Sequence, residues 1–183
     1  YGPNALRKAS NWWSYVLGLT GDGAYPSGGS REVTNMRDRT RVNYSRFSMA
    51  DCGDVPTFPM DVERTRESIE SHVATLSERA FPLVLGGDHY CTYPSFCGFA
   101  RGSDVETVGL VKIDAHSDTV GENDLFGKHF HGSSTRLIAE SEHSDFEHIS
   151  QVGLRAYENP DFIDFADETG LSLFPIGEVE QRG

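Results

Sequence analysis

The chain has 183 residues, with 28 acidic and 16 basic side chains and a formal net charge of −12. This length suits a single domain with a substantial core. The acidic balance argues against nucleic acid and anionic membranes as partners, because no basic block offsets it, and it favours a small cationic substrate. No apolar run approaches the roughly 18 residues of a membrane span.

The cysteines and the first residue bear on the location of the protein. Cys52, Cys91 and Cys97 cannot all pair, and their spacing matches no zinc motif. This favours a reduced, cytoplasmic setting. No signal peptide is visible. Because the chain begins at Tyr1 rather than Met, a leader could be missing, and a mitochondrial location stays open.

The first part of the chain predicts one helix and then loops. The helix opens at Pro3 and reaches about residue 16. Residues 18–29 are rich in glycine and 31–49 are rich in arginine, and both segments are expected to be irregular. The first lacks the Gly-Lys-Ser/Thr of a phosphate-binding loop. A short strand with a turn is expected at 51–59.

From residue 60 onward, helices and strands alternate. Apolar residues at helical spacing predict a helix over 60–79. The elements then predicted, in order, are a strand at 82–85, a helix at 92–101, a strand at 107–113, a long loop at 119–131, a helix near 133–140, a strand at 149–154, a helix at 161–168 and a strand at 171–176. This alternation predicts a three-layer α/β/α sandwich with a parallel sheet.

Acidic and imidazole side chains follow the predicted strand 107–113. Asp114, His116 and Asp118 stand at alternate positions. In extended backbone all three point to one side, and the outer two lie about 13 Å apart. That spacing suits two adjacent ions with a carboxylate between them, whereas one ion could collect all three only if the chain bent. A polar strand end with a surface histidine is the competing interpretation.

Similar residues follow the predicted strand 82–85. A Gly-Gly break precedes Asp88 and His89, and a later loop carries His129 and His131. Ligands bind beyond the carboxyl ends of the strands in a parallel sheet, where small residues let the backbone turn tightly. These side chains are therefore expected to converge at one edge of the sheet and form a metal site.

The motifs together resemble those of the ureohydrolase family of arginases and agmatinases. They are Gly-Gly-Asp-His at 86–89, Asp-Ala-His-Ser-Asp at 114–118 and His-Gly at 131–132. Weaker similarity is seen for residues 1–7, 54–56 and 153–155. The stretch 114–119 and the long loop to His131 are most similar to the agmatinase-like branch. The resemblance implies an arginase-like α/β fold.

The resemblance also implies a role for each residue of the site. His89 and Asp118 would ligate one ion, His116 the other, and Asp114 would bridge both. Two Mn²⁺ ions per subunit of the complete protein are expected, since oxygen-rich sites with some imidazole suit this metal. Asp88 would be a turn cap or would lie behind the ligands.

The implied reaction is hydrolysis of a guanidinium group to urea and an amine. Asp114 and His131 are the expected catalytic residues, with His131 delivering a proton to the leaving nitrogen and His129 as the alternative carrier. Agmatine, which would yield putrescine for polyamine biosynthesis, is the first choice of substrate. Guanidinobutyrate, guanidinopropionate and arginine are the alternatives. These substrates differ in the group at the far end from the guanidinium. Glu122 and Asp124 would favour the distal cation of agmatine, and Arg136 or Arg155 could pair with a distal carboxylate.

Other classes of protein compete with this assignment, and one family motif has no counterpart. A deacetylase-like metallohydrolase and a non-catalytic homologue are the competing classes. The family's Asp-x-Asp segment, which supplies two further carboxylates, is absent, and Asp161, Asp164 and Asp167 match a helix surface instead. Residues 1–183 are therefore expected to be a partial single domain that lacks both ends and is poorly active alone. A homo-oligomer, trimeric or hexameric, is the expected assembly.

Overall fold

The computed structural model describes residues 2–16, 32–43 and 50–182. The chain divides into two units, 1–54 and 55–183. In the first, helix α1 covers Gly2–Val16 as predicted, and strands β1 (Glu32–Thr34) and β2 (Arg41–Asn43) form an antiparallel pair. The prediction that 31–49 is irregular is therefore wrong for these two strands. The glycine-rich segment 18–29 lies outside the described residues.

The predicted strand at 51–59 does not form. Prolines 56 and 59 lack the N–H groups that a strand ladder requires. Within the first unit, Asp51 and Asp54 instead accept hydrogen bonds from the Arg7 guanidinium at 2.6 and 2.9 Å.

The second unit contains five helices and three strands among its described residues. The helices are α2 (Val62–Ser77), α3 (Thr92–Ser103), α4 (Ser134–Ala139), α5 (Phe162–Thr169) and α6 (Ile176–Arg182), and the strands are β3 (Leu110–Ile113), β4 (Ile149–Leu154) and β5 (Ser172–Pro175). The strands pair in the order β3-β4-β5, all parallel. The predicted α/β class with a parallel sheet is confirmed.

The predicted strand 82–85 is absent, and β3 is shorter than predicted. Leu83 and Leu85 are 82% and 50% exposed, and Val111 and Ile113 on β3 are also exposed. Among the described residues β3 forms a ladder only with β4. An apolar run becomes a buried strand only where a neighbour supplies hydrogen bonds and covers its faces. Residues 82–85 have no such ladder partner in the described part of the chain.

The core lies on one face of the parallel sheet. Ile149 of β4 is fully buried and packs with residues of α3, α4 and α5, including Phe96, Ile138 and Ala166. Helix α6 contacts β4 and β5, and its Ile176 and Val179 line a cavity with Ile113 and Val152. On β3 and β4, Ile113 and Val152 alternate with the side chains that face the core. Helix α6 therefore lies on the opposite face of the sheet. Among the described residues, every helix is too short or too polar to traverse a bilayer.

Helices α2 and α3 pack closely through glycines. A β-carbon at Gly98 would collide with the backbone carbonyl oxygen of Glu70, and one at Gly102 with that of Ala74. We expect Gly98→Ala to lower the free energy of unfolding by about 1–3 kcal/mol, because the two backbones must separate. Gly177→Ala is the control, since a β-carbon there meets nothing within 4 Å and alanine favours the helix. Urea denaturation measures both variants, and equal stabilities would contradict the close packing.

Candidate metal centre

Three side chains from two loops meet beyond the carboxyl end of β3. The Nδ1 atom of His89 lies 2.9 Å from Oδ2 of Asp118 and 3.4 Å from Oδ2 of Asp114. One ligand atom from each of the three residues lies within 4.8 Å of the other two, and all three residues are partly buried. Across residues 2–16, 32–43 and 50–182, no other group of three or more histidine, cysteine, aspartate or glutamate side chains gathers so closely.

The loop after β3 bends, and this brings Asp114 and Asp118 together. Oδ1 of Asp114 accepts a hydrogen bond from the backbone N–H of His116 at 3.0 Å. Asp118 adopts a left-handed conformation, with φ of +50°, which a non-glycine residue holds only where its surroundings enforce it. The sequence left two geometries open for residues 114–118: an extended segment with distant carboxylates, and a chain that bends after the strand. The structure has the second.

Hydrogen bonds from α4 and β4 hold the bend in place. The backbone N–H of Thr135 donates to the carbonyl oxygen of Asp118 at 3.0 Å, and the Thr135 hydroxyl donates to that of Ser117 at 2.8 Å. The fully buried Gln151 side chain donates to the same Ser117 carbonyl at 2.8 Å. Helix and sheet thus both position the carboxylate of Asp118.

His89 reaches the centre from the tight turn that follows Gly86-Gly87. A β-carbon at Gly86 would lie 2.5 Å from the sulfur of Cys91, so only glycine fits there without movement. The Asp88 side chain accepts a hydrogen bond from the backbone N–H of Tyr90 at 2.8 Å. Asp88 therefore caps this turn, which agrees with one of its two expected roles, and it is not in the three-residue cluster.

His116 lies on the other side of Asp114. Its Nδ1 atom is 3.6 Å from Oδ1 of Asp114, whereas the Nδ1 atom of His89 faces Oδ2. The His116 side chain is 68% exposed, and it is not part of the cluster within 4.8 Å. The two imidazoles therefore flank opposite oxygens of one carboxylate, which is the arrangement that a bridging carboxylate requires.

The environment keeps Asp114 ionised. Burial raises the pKa of its carboxyl group, but the hydrogen bond from the His116 N–H, the positive charge of Lys112 and smaller contributions together outweigh burial and hold this pKa below its usual range. A carboxylate ligand must be deprotonated to bind a metal ion. Asp114 meets that requirement at neutral pH.

His129 and His131 have different surroundings. The Nδ1 atom of His129 is hydrogen-bonded to the Tyr90 hydroxyl at 2.9 Å, and burial lowers the pKa of His129. The exposed His131 ring contacts Phe126 and Phe130 edge-on. Its turn, His131–Ser133, packs beside the turn that carries His89. His129 is thus occupied in holding two loops together, and the ring of His131 remains accessible.

A cavity of about 520 Å³ opens beside Asp114 and His116, and Arg155 is among its lining residues. Arg136 and Glu122 line a separate, smaller cavity. Of the charged residues expected to sort substrates, Arg155 therefore lies next to the candidate ligands.

Sequence reasoning missed three polar residues that support the centre. Lys112 and Gln151 are buried side chains in the middle of β3 and β4. Their signal in the sequence is a polar residue interrupting an apolar strand. Glu158 accepts a hydrogen bond from the backbone N–H of Ser117 at 3.1 Å, and no pattern in the sequence indicated that contact.

Imidazole and carboxylate groups beyond the carboxyl end of a strand in a parallel sheet are typical of α/β proteins that bind ligands at that edge of the sheet. The sequence profile of the arginase family matches residues 1–183. The chain belongs to the arginase family. The resemblance of its motifs to this family is thereby confirmed.

Two relatives illustrate the range of the similarity. The mitochondrial agmatinase of Gallus gallus is 37% identical over 140 residues, which is 74% of this chain and 39% of the relative. The guanidinopropionase of Pseudomonas aeruginosa is 30% identical over 168 residues, which is 85% of this chain and 51% of the relative. The chain thus spans about half the length of these relatives or less.

A solved structure shares the fold. The formiminoglutamase of Trypanosoma cruzi, crystallised with Mn²⁺, matches with a TM-score of 0.70 and 20% identity, covering 95% of this chain and 55% of that one. The α/β sandwich of this chain is therefore of the arginase type.

Proposed function

We propose that the protein to which this chain belongs is a dimanganese ureohydrolase that splits the guanidinium group of a small substrate into urea and an amine. The proposal rests on the arrangement of the candidate ligand atoms. The ligand atoms of His89, Asp114 and Asp118 converge within 4.8 Å of one another, and His116 flanks the second oxygen of Asp114.

The donor atoms fit the metal. Two carboxylates and two imidazoles form a mixed oxygen and nitrogen set of the kind that suits Mn²⁺, although zinc also accepts imidazole. His89 and Asp118 would hold one ion, His116 the second, and Asp114 would bridge them. When bound, a pair of divalent ions lowers the pKa of a water molecule to near neutrality and makes it a nucleophile.

The chain's own residues supply orientation and proton transfer. The bend fixed by Thr135 and Gln151 holds Asp118 toward His89. An imidazole nitrogen of His131 would deliver a proton to the leaving nitrogen as the tetrahedral intermediate collapses. The packing of its turn beside the turn of His89 supports this assignment.

Agmatine, hydrolysed to putrescine and urea, is the proposed substrate. The 37% identity to an agmatinase and the net charge of −12 support it. A second candidate class is the guanidino acids, because Arg155 lines the cavity beside Asp114 and His116, and its guanidinium could pair with a distal carboxylate.

Urea release by the full-length protein in Mn²⁺ tests the proposal. We expect urea from agmatine and a smaller kcat/KM for 4-guanidinobutyrate. The reverse order would contradict agmatine and favour the guanidino acids. Release of acetate from acetylated amines, with no urea from any guanidino compound, would contradict the proposed reaction.

The trimeric or hexameric assembly and the cytoplasmic location stay predictions.

A further inference from the structure

A buried ammonium group stands inside the candidate metal centre. The Lys112 side chain is 7% exposed, and its Nζ atom lies 2.6 Å from Oδ2 of Asp118 and 3.6 Å from Oδ2 of Asp114. The same Nζ donates to the backbone carbonyl oxygen of His116 at 2.6 Å. One lysine therefore contacts both carboxylates of the cluster and the loop that joins them.

The strand directs Lys112 to this position. Side chains alternate along a strand, and Val111 and Ile113, on either side of Lys112, are exposed. Lys112 instead pairs in register with the buried Gln151 of β4. A lysine head group is rarely buried unless it is paired, because the cost of removing its charge from water must be offset by partners. Here the partners are the residues proposed to bind metal.

The ammonium and the His89 imidazole share one acceptor atom. Oδ2 of Asp118 lies 2.6 Å from Nζ of Lys112 and 2.9 Å from Nδ1 of His89. A divalent ion bound by His89 and Asp118 would need that region of the carboxylate, and its charge would repel the ammonium. Lys112 and the first ion would therefore compete for the carboxylate of Asp118.

We propose that Lys112 is an internal counter-cation of the metal centre. Without ions it offsets part of the negative charge of the paired carboxylates and keeps the 114–118 bend formed, and the first ion binds by displacing it from Asp118. This positioning role rests on the proposed metal site. It sets the affinity for metal, and it is separate from the chemistry of the guanidinium group.

Manganese affinity and thermal unfolding of the full-length protein test the proposal. We expect Lys112→Met to bind Mn²⁺ about tenfold or more tightly, because the repelling charge is gone. In EDTA the same variant should melt at a lower temperature than the unsubstituted protein, and Mn²⁺ should restore it. Lys112→Arg keeps the charge and is the control, with an affinity close to that of the unsubstituted protein.

The outcomes separate this inference from the proposed function. If the unsubstituted protein binds Mn²⁺ and Lys112→Met binds it equally or more weakly, the counter-cation role of Lys112 is overturned and the proposed function is not. Failure of the unsubstituted protein to bind Mn²⁺ overturns both. Lys112→Gln is a second variant that keeps a donor without the charge. If neither uncharged variant folds even in saturating Mn²⁺, the inference is overturned, because it requires that a metal ion can replace the ammonium.

Discussion

Asp114→Asn in the full-length protein is expected to abolish most urea release, lowering kcat/KM by about a thousandfold or more. A bridging carboxylate serves two ions, and metal activation of water is worth several kcal/mol of transition-state stabilisation, each 1.4 kcal/mol being about tenfold in rate. The asparagine oxygen can still accept the His116 N–H, so the bend is retained. Urea assays and metal analysis of the purified variant measure the effect.

The control for this prediction is Asp167→Asn. Asp167 is an exposed acid on α5 and is not in the three-residue cluster. It should retain the activity and metal content of the unsubstituted protein. Full activity of Asp114→Asn with two ions still bound would contradict the bridging role.

His131→Asn is expected to lower kcat by about a hundredfold or more, the usual contribution of a positioned general acid or base. Metal content should not change, because the imidazole is assigned to proton transfer rather than to ligation. Steady-state kinetics and manganese analysis of the same sample test both parts.

His129→Asn is the matched control, two residues away. His129 is hydrogen-bonded to Tyr90, so its loss should cost about 1 kcal/mol of stability and leave the proton-transfer step intact. A larger loss of kcat in His129→Asn than in His131→Asn would reverse the assignment.

The convergence of the candidate site was predicted from the sequence, although one premise of that prediction is wrong. Residues after 85 and after 113 were expected to meet because parallel strands bring their carboxyl ends to one edge. Only the second of these segments follows a strand, and His89 reaches the site from the turn before α3. Helix α2 was likewise predictable, since periodic apolar residues over 62–77 allow only one buried face.

The details that depend on tertiary contacts could not be predicted. The bend at Asp118 relies on hydrogen bonds from Thr135, which is remote in sequence. The apolar run 82–85 has the composition of a strand, but strand formation needs a partner that composition does not report. The end of β5 is a different case. The sequence predicted a strand over 171–176, whereas β5 ends at Pro175 and α6 begins at Ile176. Pro175 is a signal for this change that the prediction overlooked, because proline cannot donate to a strand ladder and is common at the start of helices.

Anomalous scattering at the manganese edge from crystals of the full-length protein would locate the ions of the proposed dinuclear centre. We expect two peaks that both contact the Asp114 carboxylate, one of them also bound by His89 and Asp118 and the other by His116. Manganese bound elsewhere, or the imidazoles of His89 and His116 turned away from any ion, would contradict the proposed centre.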